Sequence, residues 1–131
     1  MYHETNRKYS DSRLSQRALR EIYLRAFEII VREAKPWAIM SSYNVINGRR
    51  ASESRELLTG ILRNEWGYEG MVMSDWWTRG EHYKELLAGN DLKMANGYPE
   101  RIRQAMEQGL VTRSDLEACT RRVLELILKI D

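Results

Sequence analysis

Cysteine is almost missing from this chain: Cys119 is the single one among 131 residues. One thiol closes no intrachain disulfide, so the fold must rest on packing and hydrogen bonds. Long apolar runs are missing too. None approaches the roughly 18 residues that cross a bilayer, and the first residues lack the apolar stretch of a secretory signal. No membrane partner is expected. The chain reads as soluble, and whether it is cytoplasmic or secreted is left to sequence upstream of Met1. Charge of one sign is missing as well. Lys and Arg number 21 against 19 Asp and Glu, and the two signs are interleaved, which argues against a nucleic-acid surface. The histidines, His3 and His82, stand alone and lack metal-ligand spacing. No Gly-x-Gly-x-x-Gly follows an apolar run, so a dinucleotide site has no support. Neither a cofactor nor a metal is called for.

Amphipathic helices alternating with short apolar strands are what the chain does contain. Ser15 is a candidate N-cap for a helix to about Ala34, with Leu19, Ile22, Ala26, Ile29 and Ile30 at helical spacing. Pro36 breaks the pattern, and residues 37–40 read as a buried strand. The polar stretch 41–54 holds an Asn-Gly turn. A second helix is predicted over about Ser54 to Glu65, with Gly67 as its C-cap. Residues 71–74 form the second strand. A third helix runs from about Gly80 to Ala88, and residues 91–94 are a third, weaker strand. Two helices follow, from about Pro99 to Gln108 and from about Ser114 to Ile130. Residues 1–12 are polar and show no period.

This alternation predicts parallel βα units in an α/β fold. Polar residues gather just after the strands, in Ser42-Tyr43-Asn44, Ser74-Asp75-Trp76 and Ala95-Asn96-Gly97. Strand C-terminal ends are where a (β/α)8 barrel keeps its catalytic residues, but such a barrel needs about 250 residues. About three strands cannot close one. The expectation is a partial (β/α)8 barrel, with about three parallel βα units and a C-terminal helix, residues 1–131 forming a single segment.

The stretch "GMVMSDWW", Gly70 to Trp77, concentrates the chemistry. Taken alone it allows two readings. Asp75 is a helix cap with Trp76 in a core, or it is a strand-end carboxylate beside an aromatic face suited to a sugar.

The ordered series "REIYLRAFEIIVREAKPWAIMSSYNVINGRRASES", "LLTGILRNEWGYEGMVMSDWW" and "LLAGNDLKMANG" resembles glycoside hydrolase family 3, in its β-glucosidase-like branch. The resemblance runs from about Glu4 to the C-terminus. It implies that Asp75, in Ser-Asp-Trp, is the catalytic nucleophile. "IMSSYNVING" resembles the segment whose Met and Tyr border the sugar subsite, matching Met40 and Tyr43. Trp76 is then the indole that meets the pyranose ring. "HETNR", His3 to Arg7, resembles the tail of a segment that follows a sugar-binding Lys-His pair.

The implied activity is retaining β-glycoside hydrolysis, acting on a β-glycoside or oligosaccharide substrate. It uses two carboxyl groups about 5–5.5 Å apart. The resemblance puts the acid/base Glu on a later domain and the Lys-His pair before Met1. The chain is therefore expected to need the rest of its parent enzyme and to be inactive alone. Glu4, Glu53 and Glu81 are the carboxylates near the loops to test as a stand-in acid. Trp37, Trp66 and Trp77 are expected to pack, and Cys119 to be a small core residue. The rival function is a non-catalytic half-barrel that assembles, as a homo-oligomer, through open sheet edges.

Overall fold

The computed structural model describes Asn6 and residues 8–131. His3, Glu4 and Arg7 of the predicted N-terminal motif lie outside the described residues.

The first helix begins where expected. Ser15 Oγ accepts the Ala18 N–H at 3.1 Å, so Ser15 is the N-cap. Helix α1 is built from four consecutive segments, Gln16–Ala18, Leu19–Tyr23, Arg25–Ile29 and Ile30–Ala34. The second and fourth are wound as π-helix. Lys35, at φ +47°, ends the helix in the left-handed region, and Pro36 prevents its continuation.

A small sheet contains an element that composition did not reveal. Strand β1 is Asp11–Ser12, and the central parallel sheet opens with β2, Ala38–Ser41. Two short strands follow, β3 (Val45–Ile46) and β4 (Arg49–Arg50). β1 lies parallel to β3, and β3 antiparallel to β4. Asn47 and Gly48, at φ +50° and +82°, form the predicted turn, in the conformation that suits a two-residue hairpin. β1 escaped notice because its two residues, Asp and Ser, are polar and exposed. It is held by side chains: Asp11 Oδ1 accepts the Gly48 N–H at 2.9 Å, and Asn47 brackets the Leu14 backbone.

Strand β5, Met71–Ser74, pairs parallel with β2 in the register Ala38↔Met71 to Ser41↔Ser74. It is the inner strand, because Met73 also bridges Leu92 on its other side. Met71 and Val72 are buried, as a two-sided parallel strand requires. The expected third strand shrinks to that one bridge. Side chains take over its ladder at both ends: the Val72 N–H goes to Asp91 Oδ2 at 2.9 Å, and the Met94 N–H to Ser74 Oγ at 2.9 Å.

Helix α1, through Val31, and four further helices pack around these strands. Helix α2, Glu56–Glu65, is π-wound, and α3 is His82–Ala88, closed by Gly89 at φ +97°. Helix α4, Pro99–Glu107, carries Pro in its first turn. Helix α5, Arg113–Ile130, opens with a Thr112–Asp115 capping box. One core gathers Val31, Leu58, Leu62, Tyr68, Val72 and Ala88, with Trp66 packed on its edge. The other holds Leu86, Ile102, Ala105, Val111 and Cys119. Burial pushes the Cys119 thiol up to about 11, so it behaves as the inert core residue expected.

Three expectations about burial fail. Residues 37–40, read as a buried strand, include half-buried Ala38 and Ile39 and an exposed Met40, because β2 has a partner strand on one side alone among the described residues. Of the apolar face predicted for α1, Leu19 is buried but Ile22, Ala26, Ile29 and Ile30 are exposed. Among the described residues no element covers that side of the helix. Trp37 and Trp77, expected to pack, are 53% and 59% exposed.

Asp91 joins the parts at the N-terminal end of the sheet. Its side chain is fully buried and meets Arg63 of α2 at 2.8 Å and Arg122 of α5 at 2.7 Å. Arg63 also donates to the carbonyls of Gly70, at 2.9 Å, and Gly89, at 3.2 Å. Burial lowers the Arg63 pKa from its ordinary value, and the Asp91 charge opposes that fall. Asp91→Ala leaves two guanidinium groups without their counter-charge. Urea denaturation should show a loss of about 3–5 kcal/mol, the usual result of breaking a buried pair on one side. Arg17→Ala, in the exposed pair with Glu21, should barely move the midpoint.

Candidate active site

The C-terminal ends of β2 and β5 carry the predicted site residues. Asp75 directly follows β5. Its N–H donates to Ser41 O at 2.9 Å, which extends the parallel ladder by one residue. Ser74, fully buried, donates Oγ–H to Asp75 O at 2.9 Å and accepts the Met94 N–H. Beneath β2's last residue, Ser41 Oγ donates to Asn90 Oδ1 at 2.8 Å, in a buried contact. The Asp75 backbone is thus held by β2 through its N–H and by the adjacent Ser74 through its carbonyl.

Its side chain is treated differently. Asp75 is half-buried, and Oδ1 accepts the Trp76 N–H at 2.7 Å. No ion pair among the described residues engages the carboxylate. The helix-cap reading fails on position, because α3 begins only at His82 and its N-cap is Glu81. The core reading of Trp76 fails as well, since that residue is 45% exposed.

Met40 pairs with Met73 across the sheet and is 52% exposed. Tyr43, half-buried, lies two residues beyond β2, with the Lys8 ammonium 5.2 Å from its ring centre. Arg79 lies 4.6 Å over the Tyr9 ring, tying the N-terminal segment to the loop after Asp75. The indoles of Trp76 and Trp77 meet edge to face, 5.5 Å apart and inclined at 66°. Met40, Tyr43, Asp75 and Trp76 therefore share one end of the sheet.

A buried acid–base pair supports the loop after Asp75, and sequence reasoning missed it. Glu85 is fully buried in α3. Its Oε1 accepts from Ser52 Oγ and Thr78 Oγ1, each at 2.8 Å, and its Oε2 meets Lys93 Nζ at 2.6 Å. Lys93 also donates to Thr78 Oγ1 at 3.0 Å and Gly80 O at 3.3 Å. Every oxygen of Glu85 is matched, which is what a buried charge needs. Gly80 passes so close that a Cβ there would lie 2.3 Å from Glu85 Oε1. The available signal was a Glu on the apolar side of α3 and a Lys in the weak third strand.

The stand-in acids gain little. Glu53 Oε1 accepts the Glu81 N–H at 2.6 Å, so it closes the start of α3, and Glu81 is exposed. Glu4 lies outside the described residues. No cluster of His, Cys, Asp and Glu suited to a metal occurs among the described residues, and no helix there is long and apolar enough to cross a membrane. Two open clefts, of about 610 and 710 Å³, lie along α5 and include none of the four site residues.

Comparison with known proteins points the same way. Residues 3–126 match the glycosyl hydrolase family 3 N terminal domain. Beta-glucosidase A of Butyrivibrio fibrisolvens is 62% identical over 114 residues, 87% of this chain and 14% of that protein. An exo-alpha-(1->6)-L-arabinopyranosidase of Bifidobacterium longum is 45% identical over 96% of this chain and 17% of its own length. Among solved structures, a beta-glucosidase of Bifidobacterium adolescentis superposes with a TM-score of 0.91 at 45% identity, over 96% of this chain and 19% of that one. Beta-glucosidase 3B of Thermotoga neapolitana, in complex with glucose, gives 0.88 at 42% identity, over 94% and 19%. The chain thus spans under a fifth of the length of these relatives.

His82, the first residue of α3, gives the fold a pH signature. It is half-buried, its Nδ1 accepts the Tyr98 N–H at 3.4 Å, and desolvation, reinforced by the Lys93 charge, lowers its pKa from 6.5. Below 6.5 the unfolded chain binds this proton more readily than the folded one. Stability should fall as pH drops from 6.5 through the folded value. Denaturation midpoints measured on either side of that window should show the fall, and His82→Gln should reduce it.

Proposed function

This chain belongs to glycosyl hydrolase family 3, within that family's N-terminal domain, and from that membership we propose that it carries the nucleophile of a retaining β-glycosidase. The substrates are terminal β-linked glycosides of the β-glucosidase class. Residues 1–131 form the C-terminal portion of a (β/α)8 barrel, and the rest of the barrel and the acid/base come from the remainder of the parent enzyme. One observation supports this most: Asp75 has an N–H fixed by β2, a carbonyl bonded by the adjacent Ser74, and a carboxylate that no described cation neutralises.

The chemistry follows from that carboxylate. An Asp75 oxygen attacks the anomeric carbon while the glycosidic C–O bond breaks, and the leaving oxygen takes a proton from the acid/base. The product is a glycosyl ester on Asp75. Water then attacks the same carbon, gives its proton to the same acid/base and releases Asp75 as the carboxylate. A short side chain on a strand end suits this role, because little freedom remains to be lost at attack. Tyr43 and Met40 border the sugar, and Trp76 offers its ring face.

A second reading has its own observation. Ile22, Tyr23 and Phe27 on α1, with Leu128 and Ile130 on α5, are exposed apolar side chains. β2 also has β5 as its only partner strand among the described residues. Such surfaces favour association, and a module that only assembles would need no nucleophile.

One experiment separates the two. In the polypeptide its gene encodes, Asp75→Ala should lower kcat/KM on an aryl β-glucoside at least about a thousandfold. Azide should restore turnover by attacking in its place and release an α-glycosyl azide. Unchanged hydrolysis, or no hydrolysis by the unaltered polypeptide, would favour the assembly reading.

A further inference from the structure

Trp77 is held in a conformation that a bulky side chain rarely adopts. Its φ is +54°, in the left-handed region, where a β-carbon is crowded and glycine is not. The side chain meets the edge of Trp76 but is not drawn into a core, since it is the more exposed of the two indoles. Strain held at an exposed aromatic beside a reactive carboxylate points to use by a ligand rather than to folding.

The ring geometry indicates which ligand. Trp76 and Trp77 are inclined at 66°, so no single flat ring stacks on both. Two described cations near this end are engaged elsewhere, Lys8 over Tyr43 and Arg79 over Tyr9. No cation covers either indole among the described residues. The site therefore presents two separate aromatic faces, one and two residues after Asp75.

A glycoside also has two parts, one on each side of the bond that breaks. We infer that Trp77 is a specificity-determining residue that stacks the leaving group, while Trp76 stacks the ring whose anomeric carbon Asp75 attacks. The ligand chemistry is a flat apolar face, from an aryl group or from the C–H face of a second pyranose. This inference rests on the reading of Asp75 as nucleophile.

The test uses Trp77→Gly in the polypeptide its gene encodes, with an aryl β-glucoside, a β-linked disaccharide and methyl β-glucoside as substrates. Glycine relieves the strained backbone, so the variant should be at least as stable as the parent. Its kcat/KM should fall about tenfold on substrates with a flat leaving group and stay level on the methyl glucoside. Inhibition by free glucose, which fills only the Trp76 side, should not change. Trp77→Phe should recover most of the loss. A fall confined to the aryl substrate or to the disaccharide supports the inference and names the source of the flat face. Equal losses on all three substrates, an unchanged ratio or weaker glucose inhibition would overturn it. Failure of the Asp75 reading looks different, because Asp75→Ala would then keep its activity whatever Trp77→Gly does.

Discussion

The carboxylate of Asp91 is the constraint on which the rest of this structure depends. It takes the Val72 N–H from the inner strand and the guanidinium groups of Arg63 and Arg122 from two helices. A strand N–H removed from water needs a partner, and so does each buried charge. One side chain meets all three needs. It also explains why the third strand is so short, because a side chain takes the place of its first ladder bond. With the N-terminal end of the sheet fixed in this way, α2 and α5 are placed, and both cores close around them.

A second buried acid works at the opposite end. Glu85 and Lys93 lie under the loop from Thr78 to Gly80 and hold it by hydroxyl and carbonyl contacts. Charges buried this way contribute less to net stability than to choosing one arrangement over others. Here the arrangement chosen is the path of the chain just after Asp75. The three acids divide the labour. Asp91 orders the frame, Glu85 orders the loop, and Asp75 is the one of the three without a cation among the described residues. A reacting carboxylate gains from rigid surroundings provided that its own charge stays available.

Much of this could be read from the residues. The β5 strand, the Ser15 cap, the left-handed Gly67 that follows the Trp66 C-cap of α2 and the Asn47-Gly48 turn follow from local rules, because each depends on one or two neighbours. That Tyr43 and Asp75 stand just beyond strand ends also followed, since polar residues after apolar runs mark such ends. What escaped depends on distance in sequence. β1 exists because Asp11 reaches Gly48, 37 residues on. Glu85 reads as an ordinary helix residue until Lys93, Thr78 and Ser52 converge on it. The exposed face of α1 is the reverse case: its period announces a burial that the described residues do not provide.

The central claim is that Asp75 forms a covalent bond to the sugar. A 2-deoxy-2-fluoro-β-glucoside with a good leaving group tests it directly. Fluorine at C2 destabilises the positive charge that develops at C1 and slows both steps, while the leaving group restores the first, so the ester accumulates. Mass spectrometry of the digested polypeptide encoded by the gene should then find the fluoroglucosyl label on the peptide containing Asp75. A label on another carboxylate, or hydrolysis with inversion and no label, would contradict the account.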